Sequence, residues 1–203
     1  MRRFLLFLIF CIQFTPSLGA EAVTQTLLIV GDSLTEGYGV EKAAAYPARL
    51  EELFKKNKIS IRVINAGSSG STTASAEARL KWHLQKKPDF VMIALGANDG
   101  LRGFAAESSY QNLKKALELA KKNSIRVILA GMFLPKNYGD QYRAEFEGIF
   151  KKLVKEYDVI FIPFLLEGVG GVPEFNLADG IHPNEKGYAR VAEHVFRSLK
   201  GKL

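Results

Sequence analysis

The 203-residue chain holds only three histidines and a single cysteine, so few arrangements of its residues could carry nucleophilic chemistry. Ser33 follows the apolar run Leu27 to Val30 through Gly31 and Asp32. At such a turn from strand into loop and helix, a hydroxyl points out of the sheet edge beside backbone N–H groups. Serine is a weak nucleophile until a neighbouring base takes its proton. His83 and His194 fall inside helical patterns, whereas His182 lies in a loop just before Pro183. His182 is therefore the candidate base. Asp179 stands three residues earlier, near enough to fold back and accept a hydrogen bond from the imidazole. That bond would fix the tautomer and stabilise the imidazolium during proton transfer. Acyl transfer also needs donors aimed at the developing oxyanion. The Ser33 N–H, the Gly70 N–H and the Asn98 side-chain amide are the candidates. Such chemistry requires no metal and no organic cofactor.

Each residue also has a plainer reading. Ser33 could simply cap a helix. Asp179-Gly180 and Asn98-Asp99-Gly100 are good turn sequences, and His182 could bond only to backbone. Asp32 reads as structural, holding the turn. Leu101, Arg102 and Pro135 follow the chemical clusters and are substrate-binding candidates, with ordinary loop roles equally open. Trp82 and the phenylalanines read as core.

The elements that must position these residues follow from the hydropathy pattern. Continuous apolar runs at Leu27 to Val30, Ile61 to Ile64, Phe90 to Leu95, Ile125 to Ala130 and Val159 to Ile162 read as buried strands. Helical stretches lie near 46–57, 74–85, 110–122, 142–157 and 185–199. In the third of these, Leu113, Ala116, Leu117 and Ala120 keep the 3.6-residue period. Strict alternation with continuous apolar strands predicts an α/β fold: a five-stranded parallel sheet inside a three-layer α/β/α sandwich, flavodoxin-like, in strand order 2-1-3-4-5. Ligands of such folds bind beyond the carboxyl ends of the strands. The polar clusters fall there. Gly31-Asp32-Ser33 follows the first strand, Ser68-Ser69-Gly70 the second, Gly96-Ala97-Asn98-Asp99 the third, and Asp179-Gly180-Ile181-His182 lies beyond the fifth.

These blocks resemble those of the SGNH (GDSL) hydrolase superfamily, and within it the bacterial acyl-CoA thioesterase I, lysophospholipase L1 and arylesterase family. Gly31-Asp32-Ser33-Leu34 resembles the nucleophile block, Asn65 to Gly70 the glycine block, Gly96-Ala97-Asn98-Asp99 the G-x-N-D block, and Asp179 to Pro183 the D-x-x-H-P block. Residues 98–104 and 134–139 are also similar to that subfamily. The resemblance covers nearly all of 26–200. It implies Ser33, Gly70, Asn98 and His182 as the namesake residues, with Asp179 completing a triad. One departure is visible: Ser71 stands where the family commonly has Asp after the glycine.

The N-terminus reads separately. Arg2 and Arg3, the apolar run Phe4 to Ile12, Pro16 and then small residues make a secretory leader over 1–22. Ala20-Glu21-Ala22 is the cleavage match, with Ser17-Leu18-Gly19 the alternative. The apolar run is too short for a span, which takes about 20 residues. Residues 23–203 then form one domain, periplasmic or secreted and monomeric. Cys11 is the only cysteine and lies in the leader, so the remainder has no disulfide to lean on. The net charge is +7, and removing Arg2, Arg3 and Glu21 leaves +6. The excess is lysine scattered over helices. Without a nucleic-acid motif it reads as a solvated surface, with transient contact to anionic phospholipid left open.

The leading expectation is a serine esterase that forms an acyl-enzyme on Ser33 and takes small-molecule or lipid esters and thioesters of apolar acyl chains. The apolar Leu101, Phe104, Phe133 and Leu134 near the expected cleft lean that way. Activity should rise with pH through the imidazole range, roughly 6.5. A carbohydrate acetylesterase on the same residues is the alternative. A non-catalytic flavin or phosphate binder is a further one, suggested by Ser68 to Thr72, although that run follows the second strand rather than the first.

Overall fold

The computed structural model describes residues 24–203. The leader assigned to 1–22, with Cys11, lies outside the described residues. Five strands run in the order β1 (Gln25–Gly31), β2 (Ile61–Gly67), β3 (Phe90–Ala94), β4 (Arg126–Ala130) and β5 (Val159–Ile162). They pair in parallel as β2-β1-β3-β4-β5. This is the strand order that the sequence predicts.

The helices are α1 (Ser33–Glu36), α2 (Tyr46–Lys56), α3 (Ala76–His83), α4 (Ala97–Leu101), α5 (Ala106–Lys122), α6 (Asp140–Glu156) and α7 (Glu185–Leu199). One face of the sheet carries α2 packed against α7, and the other carries α3, α5 and α6 in a row. Covering both faces buries β1 and β3 on both sides, which is why Leu27 to Val30 and Val91 to Leu95 are apolar without alternation. The helices contribute Leu50, Phe54, Leu113, Leu117, Phe146, Phe150, Tyr188 and Val195 to the same core.

Two expectations are corrected. Trp82 is not core: it is 72% exposed. In α3 the buried positions are Ala76 and Leu80, four apart on one face. Trp82, two residues beyond Leu80, falls about 200° around the helix and points to solvent. Phe104 and Phe133 are likewise exposed, while Phe54, Phe90, Phe146 and Phe150 are buried. The plainer reading of Asn98-Asp99-Gly100 as a turn gives way to the short helix α4, and α5 starts at Ala106, four residues before its apolar period becomes legible.

Candidate active site

Each site residue sits at the carboxyl edge of the sheet because a strand delivers it there. β1 ends at Gly31, and Asp32 caps the single turn of α1 by accepting a hydrogen bond from the Leu34 N–H at 3.0 Å. Ser33 is the first residue of that turn, so its N–H has no acceptor within the helix. Among the described residues it donates no hydrogen bond. β2 leads into an exposed loop in which Gly70 takes φ +75°, a conformation that favours glycine. The Gly70 N–H is also unspent. β3 leads into α4, which carries Asn98. Beyond β5, a long loop returns to α7 and carries Asp179 and His182.

The three predicted triad residues converge. His182 Nε2 lies 2.9 Å from Ser33 Oγ, and His182 Nδ1 lies 2.7 Å from Asp179 Oδ2. Asp179 Oδ1 accepts the backbone N–H groups of Ile181 and His182, both at 2.9 Å. Partial burial pushes the Asp179 carboxyl up, but these three hydrogen bonds outweigh it and lower the pKa to about 2. Asp179 therefore stays ionised at neutral pH, and Nδ1 must carry a proton toward it. Nε2 is then free to accept the Ser33 proton. The Tyr38 ring covers the imidazole with centroids 4.5 Å apart.

Asn98 lines the cleft and is tied to the loop that carries Gly70, which is itself off the lining. Asn98 Nδ2 donates to the Ser71 carbonyl at 3.1 Å, and its second hydrogen has only a 3.5 Å contact with Asp32 Oδ2. A contact that long is weak, so this hydrogen is free to turn toward a stronger acceptor. Leu101 and Pro135 line the cleft beside Ser33, but Arg102 does not. Its guanidinium donates instead to the Gly70 carbonyl at 3.2 Å. Phe104 is also off the lining, its carbonyl held by the Tyr142 hydroxyl at 2.7 Å.

The cleft has a volume of about 600 Å³. Ser33 and His182 line it together with Leu101, Met132, Leu134, Leu166, Phe133 and Phe164, and the last two rings stack at 4.5 Å. The surface is mostly apolar, and its one guanidinium, Arg143, is turned to the Leu134 carbonyl, Asp140 and Glu147.

Other residues bind the edge together and were not singled out by sequence. Arg79, half-buried on α3, donates to the carbonyls of Gly31 and Ala66, the ends of β1 and β2, and to Ser71 Oγ at 3.0 Å. Beneath α4, the buried Asp99 accepts from Thr73 N at 2.9 Å, Thr73 Oγ1 at 2.5 Å and Ser109 Oγ at 3.1 Å. An arginine or threonine on a helix face has no marker in sequence that separates this work from solvation. Asp32 is fully buried, and burial raises its pKa to about 6 despite the Leu34 N–H. The other two histidines stay apart: His83 ends α3, and His194 on α7 bonds the Phe164 carbonyl at 3.0 Å.

Residues 29–190 match the model of the GDSL-like lipase/acylhydrolase family. The chain belongs to that family. Membership makes this GDSL-like protein a carboxylic ester hydrolase. Its relatives agree. Esterase TesA of Pseudomonas aeruginosa is 39% identical over 89% of this chain and 90% of its own length. Thioesterase 1/protease 1/lysophospholipase L1 of Escherichia coli is 40% identical over 88% of this chain and 85% of its own. A crystal structure of TesA superposes with a TM-score of 0.85 at 39% identity, covering 88% of this chain and all of that one. The GDSL-like chain is thus similar to esterases and thioesterases along nearly its whole described length.

Proposed function

We propose that this protein is a serine esterase and thioesterase that works through an acyl-enzyme on Ser33, with His182 as base and Asp179 as its orienter. The observation that carries this reading is the continuous relay from Asp179 through His182 to Ser33, with spacings of 2.7 and 2.9 Å, opening onto an apolar cleft. Ser33 Oγ attacks the acyl carbonyl carbon while His182 Nε2 takes the hydroxyl proton. The carbonyl oxygen gains the charge and is met by the Ser33 N–H, the Gly70 N–H and the Asn98 amide. The tetrahedral carbon then expels the alcohol or thiol, which leaves with the proton from His182. Water repeats the sequence: His182 removes its proton, the acid departs, and Ser33 recovers its hydrogen.

The substrate class follows from the cleft. Leu101, Met132, Leu134 and the Phe133–Phe164 pair offer no polar partner for sugar hydroxyls and suit an apolar acyl chain. The names of the relatives, esterase and thioesterase, support both leaving-group types. The leader at 1–22, a basic start followed by an apolar run and small residues, supports export, with the mature enzyme acting as a monomer outside the cytoplasm and touching anionic phospholipid transiently. N-terminal sequencing of exported protein checks this, and a start at Val23 is expected. Among the described residues no helix is long and apolar enough to cross a membrane.

The test is one panel: nitrophenyl esters of short and long acyl chains, an acyl-CoA, a lysophospholipid and an acetylated sugar, each with wild type and Ser33→Ala. Wild type should hydrolyse the acyl esters, and the variant should lose at least about a hundredfold. Equal rates for the two proteins would remove Ser33 from the mechanism. A preference for the acetylated sugar would move the substrate class to carbohydrate.

A further inference from the structure

The oxyanion donors Gly70 and Asn98 come from elements far apart in sequence, yet three hydrogen bonds close a ring between their segments. Asn98 Nδ2 donates to the Ser71 carbonyl at 3.1 Å. The Arg102 backbone N–H donates to the Asn98 carbonyl at 3.2 Å. The Arg102 guanidinium then crosses back, with Nη2 donating to the Gly70 carbonyl at 3.2 Å. The side chain is exposed, and among the described residues no carboxylate forms an ion pair with it. The nearest atom to the missing Cβ of Gly70 is also Arg102 Nη2, at 3.6 Å.

We propose that Arg102 is a positioning residue that straps the Gly70–Ser71 peptide to α4 and holds the Gly70 N–H and the Asn98 amide in one register. The proposal rests on the oxyanion role given above to those two groups. Its physical basis is the freedom of Gly70. A glycine in an exposed loop has more conformations to lose than any other residue. The turn around it is closed by the Ser71 N–H on the Ser68 carbonyl at 3.2 Å and held by Glu36, which accepts from the Ser69 N–H at 2.7 Å; the strap adds the hold on the Gly70 carbonyl, and without it the tilt of the Gly70 peptide would have to be set during the reaction. Donors stabilise an oxyanion best when they need no reorganisation at the moment charge develops. The same loop is anchored from below by Arg79 to Ser71 Oγ. Losing Arg102 therefore loosens the Gly70 peptide while the loop stays folded.

A leaving-group contact is the competing role for an exposed arginine at this edge, and kinetics separate the two. Arg102→Met and Arg102→Lys are compared with wild type on nitrophenyl butyrate and on a short acyl-CoA. The methionine variant should lose about tenfold in kcat on both substrates, less than the removal of a donor outright, with KM and thermal midpoint unchanged. Its rate of covalent inactivation by a nitrophenyl phosphonate, which builds the same oxyanion, should fall in the same proportion. Lysine should restore part of the loss, since its ammonium can reach the same carbonyl. An unchanged kcat overturns the proposal. A change confined to KM for acyl-CoA also overturns it, by assigning Arg102 to the leaving group. So does a loss that tracks a lowered thermal midpoint and that lysine does not restore. The triad reading is judged separately, by whether wild type is active on nitrophenyl butyrate and Ser33→Ala is not.

Discussion

Asp179 and Asp32 are two carboxyls at one edge, and their surroundings drive them in opposite directions. Asp179 receives two backbone N–H groups and the imidazole, and its pKa falls to about 2. Ionised, it holds His182 in the tautomer that presents a bare Nε2 to Ser33. In Asp179→Asn the amide can donate to Nδ1, which would turn the imidazole proton toward Ser33. The expected loss is roughly a thousandfold in kcat with little change in KM. Because Asp179 is stabilised as the anion, its contribution to stability is present above the unfolded value near 3.8 and is lost as pH falls toward 2. Asp32 behaves in reverse. Burial raises its pKa from 3.8 to about 6. Between those values the unfolded chain has released this proton and the folded chain keeps it, so stability falls as pH rises through that window. The full penalty is on the order of 3 kcal/mol. Asp32→Asn keeps an oxygen for the Leu34 N–H and removes the penalty. Its thermal midpoint should exceed that of wild type at pH 7 and match it at pH 4. Sequence revealed both residues but not this contrast, because burial depends on what packs over Asp32 from other elements.

Among the elements, the loop before α7 bears the most weight, since it delivers both Asp179 and His182. It is laced to the helix by the Asn184 side chain, which accepts from the Gly187 N–H and donates to the carbonyls of Glu174 and Asn176. Gly187 lies so close beneath that an added Cβ would meet the Phe175 carbonyl oxygen at 2.1 Å and Pro183 Cβ at 2.8 Å. The Phe175 contact is backbone and cannot swing aside. Gly187→Ala should cost about 2 kcal/mol or more in stability and reduce activity by displacing His182 from Ser33, checked by denaturant unfolding and by kcat on one ester. The five strands and the long helices were legible because burial on both faces leaves continuous apolar runs and burial on one face leaves a 3.6-residue period. α1 and α4 were not. Helices of four and five residues are too short to show a period, and α4 contains the Asn98-Asp99-Gly100 run that favours a turn. A local cap winds one, with Asp32 accepting from the Leu34 N–H, and a tertiary anchor winds the other, with Asp99 held by Thr73 and Ser109.

Across the molecule, the doubly wound sheet brings four chain segments to one edge and leaves an apolar trough beside them. Leu101, Pro135 and Arg102 were substrate-binding candidates with loop roles equally open; Leu101 and Pro135 line the trough, and the Arg102 guanidinium reaches the Gly70 carbonyl. One part of the lining, Phe133 stacked on Phe164, joins residues 31 apart and could not be read from either segment alone. Phe133→Ala should lower kcat/KM for long-chain nitrophenyl esters several-fold while sparing short-chain ones, because a longer chain covers more of the apolar lining that the ring supplies. An equal effect on both lengths would place the acyl chain elsewhere. The central claim is narrower than chain length: the reacting bond forms on Ser33 and depends on the relay behind it. The most direct measurement is mass spectrometry of the protein after treatment with a fluorophosphonate, which traps an activated serine covalently. One adduct on the peptide containing Ser33 is expected, forming fast in wild type and far more slowly in His182→Ala and Asp179→Asn. An adduct on another residue, or labelling of Ser33 at the same rate in all three proteins, would contradict the account.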